Sequence, residues 1–472
     1  MQKQELISNR RIMRGLLFTL MFCSICFVSA QTKVLYGMAN FGGAKNSGVI
    51  FIYNPTTKIF TKKFDFDYDT TGGYPFGSLM RSSIGKLYGM LYGGANSVNG
   101  SLFGYDPTNN VYENKYNFDA VNGSNPYGSL IQTTDALMYG MTNFGGTSNK
   151  GVLFSYNEIT GTYSKKYNFT DSQPSRSSDR LVQASNGLLF GTSDRSLFAY
   201  DPATEIFTTK VNFEPNPDNI ISMGYDPSSS LVLAADGLLY GTNFHGGLFG
   251  GGVIFSYNPV TDTFAKKIDF KAENGENPYG SLMQASNGLF YGMTRFGGAD
   301  GNGVLYSYDP VSNIYLKKAD LNLQNGYNSY GNLMQAADGL LYGMTSSGGA
   351  NNLGVLFSFN ISTGIYTKEF EFDGVNGSYP FGNLIEVTMQ NLSVDNSNEE
   401  SRIKFYPNPV RDLLYFSENL SNINIADASG KKVKQFTGTR KSADVSKLEK
   451  GVYFIVGTEK WGKKASSKFV KE

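Results

Sequence analysis

The sequence predicts an all-β protein: a seven-bladed β-propeller with four-stranded blades, followed by a small C-terminal β-sandwich. The first observation is an internal repeat. A hydrophobic–aromatic–glycine element recurs seven times at intervals of 50 to 52 residues, with its glycine at positions 37, 89, 140, 191, 241, 292 and 343. The second is composition, since 55 glycines and 14% aromatic residues suit many short strands joined by tight turns. A repeat of this length is typical of a propeller blade.

Turn residues divide each repeat into four strands. Asn287-Gly288, with the matching pairs at 186, 236 and 338, predicts two-residue turns between the first and second strands, because Asn, Asp and Gly tolerate a positive φ. Asp309-Pro310, with the matching pairs at 106, 201 and 258, suits a type I turn between the third and fourth strands. Each unit therefore reads as two successive hairpins.

The two ends of the repeat region indicate how the ring closes. The chain enters at a second strand, Val34 to Met38, and leaves after an extra first strand, Gly382 to Val387. Pairing of these segments would complete the first blade from both ends of the chain. An open solenoid would need polar caps at its ends, and none is visible.

Paired lysines mark the predicted fourth strand, at positions 62–63, 165–166, 266–267 and 317–318. The outermost strand of a blade has an unpaired edge, and lysines there discourage edge-to-edge aggregation. We interpret these lysines as edge protection, with ligand binding as the alternative.

Residues 1–30 have the organisation of a secretory signal peptide. Arginines at 10, 11 and 14 precede an apolar run over residues 15–28, and Val28-Ser29-Ala30 supplies the small residues of a cleavage site. The apolar run is short for a membrane span, and no later run is long enough either. We expect an exported protein that does not span the membrane.

The cysteine and histidine content excludes several kinds of site. Cys23 and Cys26 both lie in the predicted signal, which leaves the mature chain without disulfides, thiol catalysis or thiolate metal ligands. His245 is the single histidine, so multi-histidine metal sites and most nucleophile–histidine–acid triads are excluded. His245 stands where other units have a loop aromatic, and we interpret it as a substitute for that aromatic. We expect no metal and no cofactor.

Charge divides the chain. Residues 31–402 carry 23 Lys and Arg against 32 Asp and Glu, a net charge of −9, whereas residues 403–472 carry 14 against 7, a net charge of +7. Because nucleic-acid binding needs a basic face, the acidic body argues against it. We assign residues 31–387 to the propeller, and the polar, aperiodic residues 388–402 to a linker.

The repeat resembles the kelch family of propellers. The sixth unit shows the kelch features: Gly297-Gly298 after the second strand, Tyr308-Asp309-Pro310 after the third, and Tyr315 in the fourth. Kelch repeats usually carry Trp at that last position, and no unit does here. The sequence is closer still to the bacterial GloVer tandem repeats of exported proteins. Both resemblances cover about residues 33–387 and imply a propeller, without naming a ligand. A kelch-type copper oxidase would need histidine ligands and a Cys-modified Tyr.

The tail, residues 403–472, shows short alternating strands around turn residues, typical of a small β-sandwich. Its ordered motifs, from Phe405-Tyr-Pro-Asn-Pro-Val to a final Lys468-Phe-Val-Lys, resemble the type A C-terminal sorting domain of the type IX (Por) secretion system of Bacteroidetes. The resemblance implies that Pro407, Asn408 and Pro409 form the sorting motif and that the type IX machinery is a partner. It also implies secretion or attachment to the outer surface of the outer membrane. An ordinary immunoglobulin-like module is the alternative.

Five of the seven inter-blade loops place an aromatic before the first strand, and the alternation of strand direction puts these loops on the same face as the Gly-Gly loops. The five are Phe76, Tyr127, Tyr279, Tyr330 and Phe381. Such aromatics could stack on sugar faces or peptide side chains, or they could wedge adjacent blades together. Because a regular repeat position is usually structural, packing is the stronger interpretation, and ligand binding is the functional hypothesis.

The fourth unit breaks the repeat. From the aromatic of its second strand, Phe190, to that of its third, Phe198, there are 8 residues where the other units have 15. The connection out of the unit is longer than usual, and its acids Glu214, Asp218 and Asp226 are candidate ligand-binding residues. A deletion beside an insertion on one face predicts a notch with a flap, and loops on a rigid scaffold often carry function. Drift of the repeat is the alternative.

We therefore expect a monomeric, non-catalytic binding propeller for glycan or protein ligands. The alternative is an extracellular hydrolase or lyase acting on polysaccharide through the same acids, although the sequence cannot locate a catalytic pair. A structural surface protein without a discrete ligand is the third possibility. An enzyme predicts a deep pocket with a carboxylate of shifted pKa, and a binding module predicts shallow aromatic grooves.

Overall fold

A computed structural model describes residues 32–94, 97–170, 180–213, 223–227, 229–389, 405–427, 432–459 and 464–472. The chain divides into two units, Met1–Gln390 and Asn391–Glu472. The predicted signal peptide and most of the predicted linker lie outside the described residues. Within the described ranges, no helix has the length and apolar character needed to cross a membrane.

Seven four-stranded antiparallel sheets, the blades, form the described part of the first unit, which confirms the predicted all-β propeller. Blade 1 contains β1 (Thr32–Ala39), β2 (Val49–Asn54), β3 (Ile59–Asp65) and β28 (Ile385–Met389). Blade 2 contains β4 (Met80–Arg81), β5 (Leu87–Leu91), β6 (Ser101–Asp106) and β7 (Val111–Asn117). Blade 3 contains β8 (Ile131–Gln132), β9 (Met138–Met141), β10 (Val152–Asn157) and β11 (Thr162–Asn168). Blade 4 contains β12 (Val182–Gln183), β13 (Leu189–Ser193), β14 (Ser196–Asp201) and β15 (Ile206–Asn212).

The remaining blades follow the same order. Blade 5 contains β16 (Val232–Leu233), β17 (Leu239–Asn243), β18 (Val253–Asn258) and β19 (Thr263–Asp269). Blade 6 contains β20 (Met283–Gln284), β21 (Phe290–Met293), β22 (Val304–Asp309) and β23 (Ile314–Asp320). Blade 7 contains β24 (Met334–Gln335), β25 (Leu341–Thr345), β26 (Val355–Phe359) and β27 (Tyr366–Glu371). A single 3₁₀ turn among the described residues, Ala272–Asn274, lies between blades 5 and 6.

The ring closes by the predicted strand exchange. β28 pairs antiparallel with β1, with Val387 opposite Val34 and Ile385 opposite Tyr36. The predicted strand began at Gly382, and the observed strand begins three residues later. The reason is that Gly382 lies in the loop before the first strand, where its Cα packs against the backbone of Gly77 in the next blade.

The hairpins between first and second strands differ from the prediction of two-residue turns. In blade 6 the backbone N–H of Gly288 donates to Ala285 O at 2.9 Å, and that of Ala285 donates to Leu289 O at 2.9 Å. The loop therefore has three residues, a type I turn followed by Gly288 at φ 82°. Glycine suits this left-handed position, while Asn287 keeps a negative φ, so the prediction assigned the positive φ correctly only to the glycine.

The repeated glycine of the second strand makes room for the core. A Cβ on Gly140 would lie 2.7 Å from Phe154 Cζ and 2.8 Å from Leu130 Cδ2. The third-strand aromatic and the first-strand leucine thus meet directly over the glycine. Buried side chains from neighbouring blades then join into shared clusters, such as the one that combines Met80 of blade 2 with Leu130 of blade 3. Each blade is therefore stabilised by its neighbours rather than by a core of its own.

The tail consists of six strands, four of which pair with the long strand β30, while β34 pairs with β33. The strands are β29 (Phe405–Tyr406), β30 (Leu413–Asp427), β31 (Lys432–Phe436), β32 (Arg440–Asp444), β33 (Gly451–Thr458) and β34 (Lys464–Lys471). The first half of β30 pairs with β29 and β32, and its second half pairs with β31 and β33, with a register shift between Tyr415 and Leu420. Two small sheets therefore enclose one apolar core, which includes Leu414, Ile425 and Phe469.

Candidate functional site

The Gly-Gly loops and the inter-blade loops contact each other on one face of the disc, which we call the loop face. In blade 3, Ser124 of the inter-blade loop forms a β-bridge with Phe144 of the Gly-Gly loop. Blade 5 repeats this bridge with Tyr225 and His245. His245 thus occupies the place of the loop aromatic, as its position in the repeat predicted.

The five inter-blade aromatics converge into one group, which we call the axial cluster: Phe76, Tyr127, Tyr279, Tyr330 and Phe381. Phe76 stacks on Tyr127 with ring centroids 4.2 Å apart. Tyr330 stacks on Phe381 at 4.3 Å, and it meets Tyr279 edge to face at 4.9 Å. Phe76 and Phe381 join the two groups edge to face at 5.6 Å. The cluster draws on blades from opposite parts of the ring, and so it lies on the propeller axis.

Close backbone packing brings these rings together. A Cβ on Gly77, directly after Phe76, would lie 2.1 Å from the carbonyl oxygen of Gly128, directly after Tyr127. The chain can therefore approach the axis only where the residue after the aromatic lacks a side chain.

The axial cluster encloses only a small space. All five side chains are half-buried, and the space they enclose with the loop backbone is about 20 Å³, enough for little more than one water molecule. Burial, together with the neighbouring phenols of Tyr279 and Tyr330, raises the pKa of Tyr127. Tyr127 therefore stays neutral at physiological pH. A ligand can meet the cluster only from outside, on the exposed edges and faces of the rings.

An arginine that the sequence analysis missed lies beside the cluster. The guanidinium carbon of Arg295 is 5.0 Å from the ring centroids of both Phe296 and Tyr330. Its Nε donates a hydrogen bond to Asn328 Oδ1 at 3.1 Å. Units 1, 2, 3, 5 and 7 have Asn40, Tyr92, Asn143, Phe244 and Ser346 at this position, and the arginine was the available signal. The two rings and the amide of Asn328 hold the guanidinium in place beside the cluster.

The irregular fourth blade is shortened as predicted. β13 and β14 are joined by only two residues, Asp194 and Arg195. Of the three candidate acids nearby, Glu214 and Asp218 lie outside the described residues. Asp226 is described, and its Oδ2 is 3.9 Å from His245 Nε2, with both side chains partly exposed. Asp226 has a positive φ of 62°. Its repeat equivalents Asn277 and Asn328 also have a positive φ, 56° each, so this conformation is a property of the repeat.

His245 is packed among neighbouring loop residues. Among the described residues, no group of three or more His, Cys, Asp or Glu side chains is placed to hold a metal ion. The ring of Tyr225 covers one face of His245, with centroids 5.2 Å apart, and Asn277 Nδ2 lies 3.4 Å from His245 Nδ1. The imidazole is thus held as part of the loop packing.

The predicted sorting motif lies on the surface of the tail. Pro407, Asn408 and Pro409 are all exposed. The side chain of Asn408 accepts a hydrogen bond from the Val470 N–H at 2.8 Å and donates one to Lys468 O at 3.2 Å. The amide therefore ties the segment to β34, while the two proline rings remain accessible.

Comparison with known proteins identifies both units. The Gloeobacter/Verrucomicrobia repeat family matches residues 24–197 and 193–400. The secretion system C-terminal sorting domain family matches residues 404–472. No curated protein sequence matches the chain.

Many solved structures match the chain, and two of them illustrate the shared fold. One is a candidate 6-phosphogluconolactonase from Bacteroides fragilis, with a TM-score of 0.51 and 15% identity, covering 76% of this chain and 99% of that one. The second, a candidate 6-phosphogluconolactonase from Bacteroides uniformis, gives the same TM-score, identity and coverage. At this identity the likeness shows a common propeller architecture alone.

Proposed function

The chain belongs to the Gloeobacter/Verrucomicrobia repeat family and carries a secretion system sorting domain, and on that premise we propose that it is a non-catalytic propeller that binds a glycan on its loop face. The sorting domain indicates export by the type IX system to the cell surface or the surroundings. The propeller is then the part that meets extracellular molecules.

The axial cluster is the observation that carries the proposal. Its rings lie half-exposed at the centre of the face built from the variable loops, and loops on a rigid scaffold are where binding sites concentrate. Aromatic rings supply apolar area with few rotatable bonds, and their edges and faces suit the C–H surfaces of sugar rings. Because the space within the cluster is too small for a sugar ring, a chain-like ligand would cross the cluster rather than enter it.

Polar groups around the cluster would orient the ligand. Arg295 has its plane fixed by Phe296 and Tyr330, which lowers the entropy cost of using its terminal N–H groups. The neutral hydroxyl of Tyr127 can donate or accept. Together they offer the few placed polar groups that specific carbohydrate binding requires.

The alternative of a polysaccharide-acting enzyme has less support. Glycosidic cleavage uses two acids, one on each side of the bond. Of the acids considered, Asp226 lies within the described residues, and its described ionisable neighbour is His245.

The tail would act through its exposed motif. We propose that Pro407, Asn408 and Pro409, held to β34 by the Asn408 amide, form part of the surface that the type IX machinery recognises. The exposure of both proline rings suits a segment that another protein must recognise.

The test is a screen of cell-surface and plant polysaccharides, followed by Tyr127→Ala and Tyr279→Ala. Each variant should weaken binding by roughly 1–3 kcal/mol, or about 5- to 150-fold in Kd. Val311→Ala, at a side chain that is 94% exposed in a turn on the opposite face, is the control and should bind normally. If both tyrosine variants melt early while binding per folded molecule is unchanged, the cluster only packs the axis and the proposal fails.

A further inference from the structure

Arg295 places a positive charge at the border of the axial cluster. In other blades, the residue at the same position of the repeat also contacts the cluster. Tyr92 meets Phe76 edge to face, with ring centroids 5.4 Å apart. Phe244 meets Tyr279 in the same way at 5.8 Å. The equivalent residues of the other units are uncharged, except for an aspartate in unit 4. The positive charge is therefore a feature of blade 6 and not of the repeat.

Neutral groups hold the guanidinium of Arg295 in place. Its carbon lies 5.0 Å from the ring centroid of Phe296 and 5.0 Å from that of Tyr330. Its Nε donates a hydrogen bond to Asn328 Oδ1 at 3.1 Å. Two aromatic rings and one amide thus restrict the side chain, and none of the three carries a formal charge.

The acids near Arg295 leave its charge unpaired within the described ranges. Glu276 is bridged to Phe296 through the backbone, but its carboxylate forms no ion pair with Arg295. Glu273, in the same inter-blade loop, pairs with Lys271 at 2.8 Å. The residues that line the axial cluster include no acid either. Because a half-buried charge is costly without a counter-charge, an anion beside Arg295 is favoured.

The terminal nitrogens of Arg295 are open to a ligand. Neither Nη atom has a hydrogen-bond partner among the described residues, and neither is buried. A guanidinium presents its N–H groups in one plane, in a spacing that matches two oxygens of a carboxylate or of a tetrahedral oxyanion. The side chain can therefore bind one such group while its Nε remains bonded to Asn328.

An exposed aromatic ring adjoins the same guanidinium. Phe296 is 40% exposed, whereas its repeat equivalents Phe41 and Phe144 are more buried. Such a ring can pack against the C–H face of a sugar. An acidic sugar carries its anionic group on the sugar ring or on a hydroxyl of that ring. One residue of an acidic polysaccharide could therefore contact Phe296 and Arg295 together.

We propose that the loop face selects acidic polysaccharides, with Arg295 binding the carboxylate or sulfate of a sugar that packs on Phe296 and the axial cluster. This inference rests on the glycan-binding function proposed above and adds the chemical class of the glycan. The net charge of −9 on residues 31–402 repels polyanions in general, but salt screens this repulsion beyond about 8 Å. The local contacts at Arg295 therefore determine which anionic chain binds.

The test compares sugars that differ only in charge. Calorimetric titration of the full-length protein would use an oligogalacturonate and its methyl ester, and a sulfated galactan oligosaccharide and its desulfated form. Arg295→Asn installs the residue of units 1 and 3 and should fold normally, and Arg295→Lys keeps the charge without the planar donors. Lys45→Asn is the matched control. Lys45 is an exposed cation in the Gly-Gly loop of blade 1, and Asn351 holds its place in blade 7.

We expect at least one acidic oligosaccharide to bind about tenfold or more tightly than its neutral counterpart. A preference for the uronate assigns the site to carboxylates, and a preference for the sulfated sugar assigns it to sulfates. Arg295→Asn should remove the preference by weakening the acidic ligand alone, and Arg295→Lys should keep part of it. Lys45→Asn should leave it unchanged. Equal binding of the acidic and neutral forms, no binding of either acidic sugar, or a preference that survives Arg295→Asn would overturn the inference.

The charge selectivity and the glycan platform fail in different ways. If neutral sugars bind as tightly as acidic ones and Tyr127→Ala weakens both, the axial cluster is a glycan platform and the charge selectivity is wrong. If Arg295→Asn weakens acidic and neutral sugars equally while its melting temperature is unchanged, the arginine supports the platform without selecting anions. That result would also overturn the inference and leave the proposed function intact.

Discussion

The Nζ of Lys58 lies 2.8 Å from Oε1 of Glu369, in an ion pair that joins blade 1 to blade 7 where the ring closes. At two other junctions the charges are reversed. Lys166 of blade 3 pairs with Glu205 of blade 4 at 2.6 Å, and Lys210 of blade 4 pairs with Asp262 of blade 5 at 3.0 Å. In those pairs the fourth strand supplies the lysine, whereas at the closure it supplies the acid. The acid on the fourth strand of blade 7 matches the lysine in the turn of blade 1, whereas the corresponding turns of blades 4 and 5 carry acids. The reversed order therefore favours pairing of blade 7 with blade 1.

The closing ion pair should make the propeller sensitive to acid. Burial alone would raise the pKa of Glu369, but hydrogen bonds from Lys58, Ser358 and Tyr53 outweigh burial and lower it below the usual 4.5. A lowered carboxyl pKa stabilises the fold above the unfolded pKa, and this contribution is lost as pH falls through the folded value. We expect Glu369→Gln to cost about 1–3 kcal/mol at pH 7 and much less near pH 3. Urea unfolding across pH measures this.

Glu205→Gln is the control for that series. The Glu205 side chain is 55% exposed, and exposed pairs contribute little, so this variant should change stability by less than about 1 kcal/mol at any pH. A Glu369→Gln deficit that stays constant from pH 7 to pH 3 would contradict the assignment.

Reversing the closing pair tests whether its charge order matters. Lys58→Glu should destabilise the propeller, because two carboxylates would then face each other beside the buried Tyr53. Adding Glu369→Lys should recover most of the loss. Melting temperatures of the two single variants and the double variant give the coupling between the residues. Additive losses would show that the pair does not act as a unit.

Removal of β28 should destabilise the whole disc. A chain that ends at Asn376 loses the antiparallel pairing of β28 with β1 and the contacts of Val387 with Val34. Because each blade depends on shared clusters, the loss should spread around the ring and lower the melting temperature in one cooperative step. A chain that ends at Met389 keeps β28 and is the control. Equal melting temperatures for the two truncations would refute closure as the main source of stability.

Gly140→Ala should destabilise the core. The added Cβ would lie 2.7 Å from Phe154 Cζ and 2.8 Å from Leu130 Cδ2, both in a packed cluster, and overpacking of this kind costs about 1–3 kcal/mol. Gly104→Ala is the matched control on a third strand, where the nearest atom is the flexible Lys115 Cε at 3.0 Å. Chemical denaturation should separate the two variants clearly, and equal stability would show that the core relaxes around the new methyl group.

Removal of residues 403–472 should stop export across the outer membrane while leaving a folded propeller in the periplasm. The tail forms its own unit with its own core, so the propeller keeps all of its blade contacts. Cell fractionation and resistance to proteolysis measure location and folding together. Normal amounts of the truncated protein outside the cell would rule out the tail as the sorting signal. Trp461 is the only Trp of the chain, and its absence from extracellular material would indicate that the tail is removed.

The sequence by itself determined the architecture, because the same pattern of core and turn residues occurs seven times and predicts the same blade each time. Gly140 and its equivalents, the leucine before each first strand and the Asp-Pro turns recur at fixed spacing, and each recurrence confirms the others. The extra first strand predicted closure of the ring, because the strand left over at the end of the repeat region matches the strand missing from its first unit. The predicted sorting motif could likewise be identified from the sequence, because its residues are consecutive. The turn type was assigned less well, because a Gly after Asn fits both a two-residue turn and the three-residue loop that forms.

Tertiary structure alone decided what the irregular residues contact. Phe76 and Phe381 are 305 residues apart in sequence, and only ring closure brings their side chains together at the axis. Lys166, one of the paired lysines, also has a partner in the next blade, Glu205, that a linear pattern could not identify. Spacing along a repeat fixes which blade a side chain belongs to, but contacts between blades depend on how the closed ring brings them together.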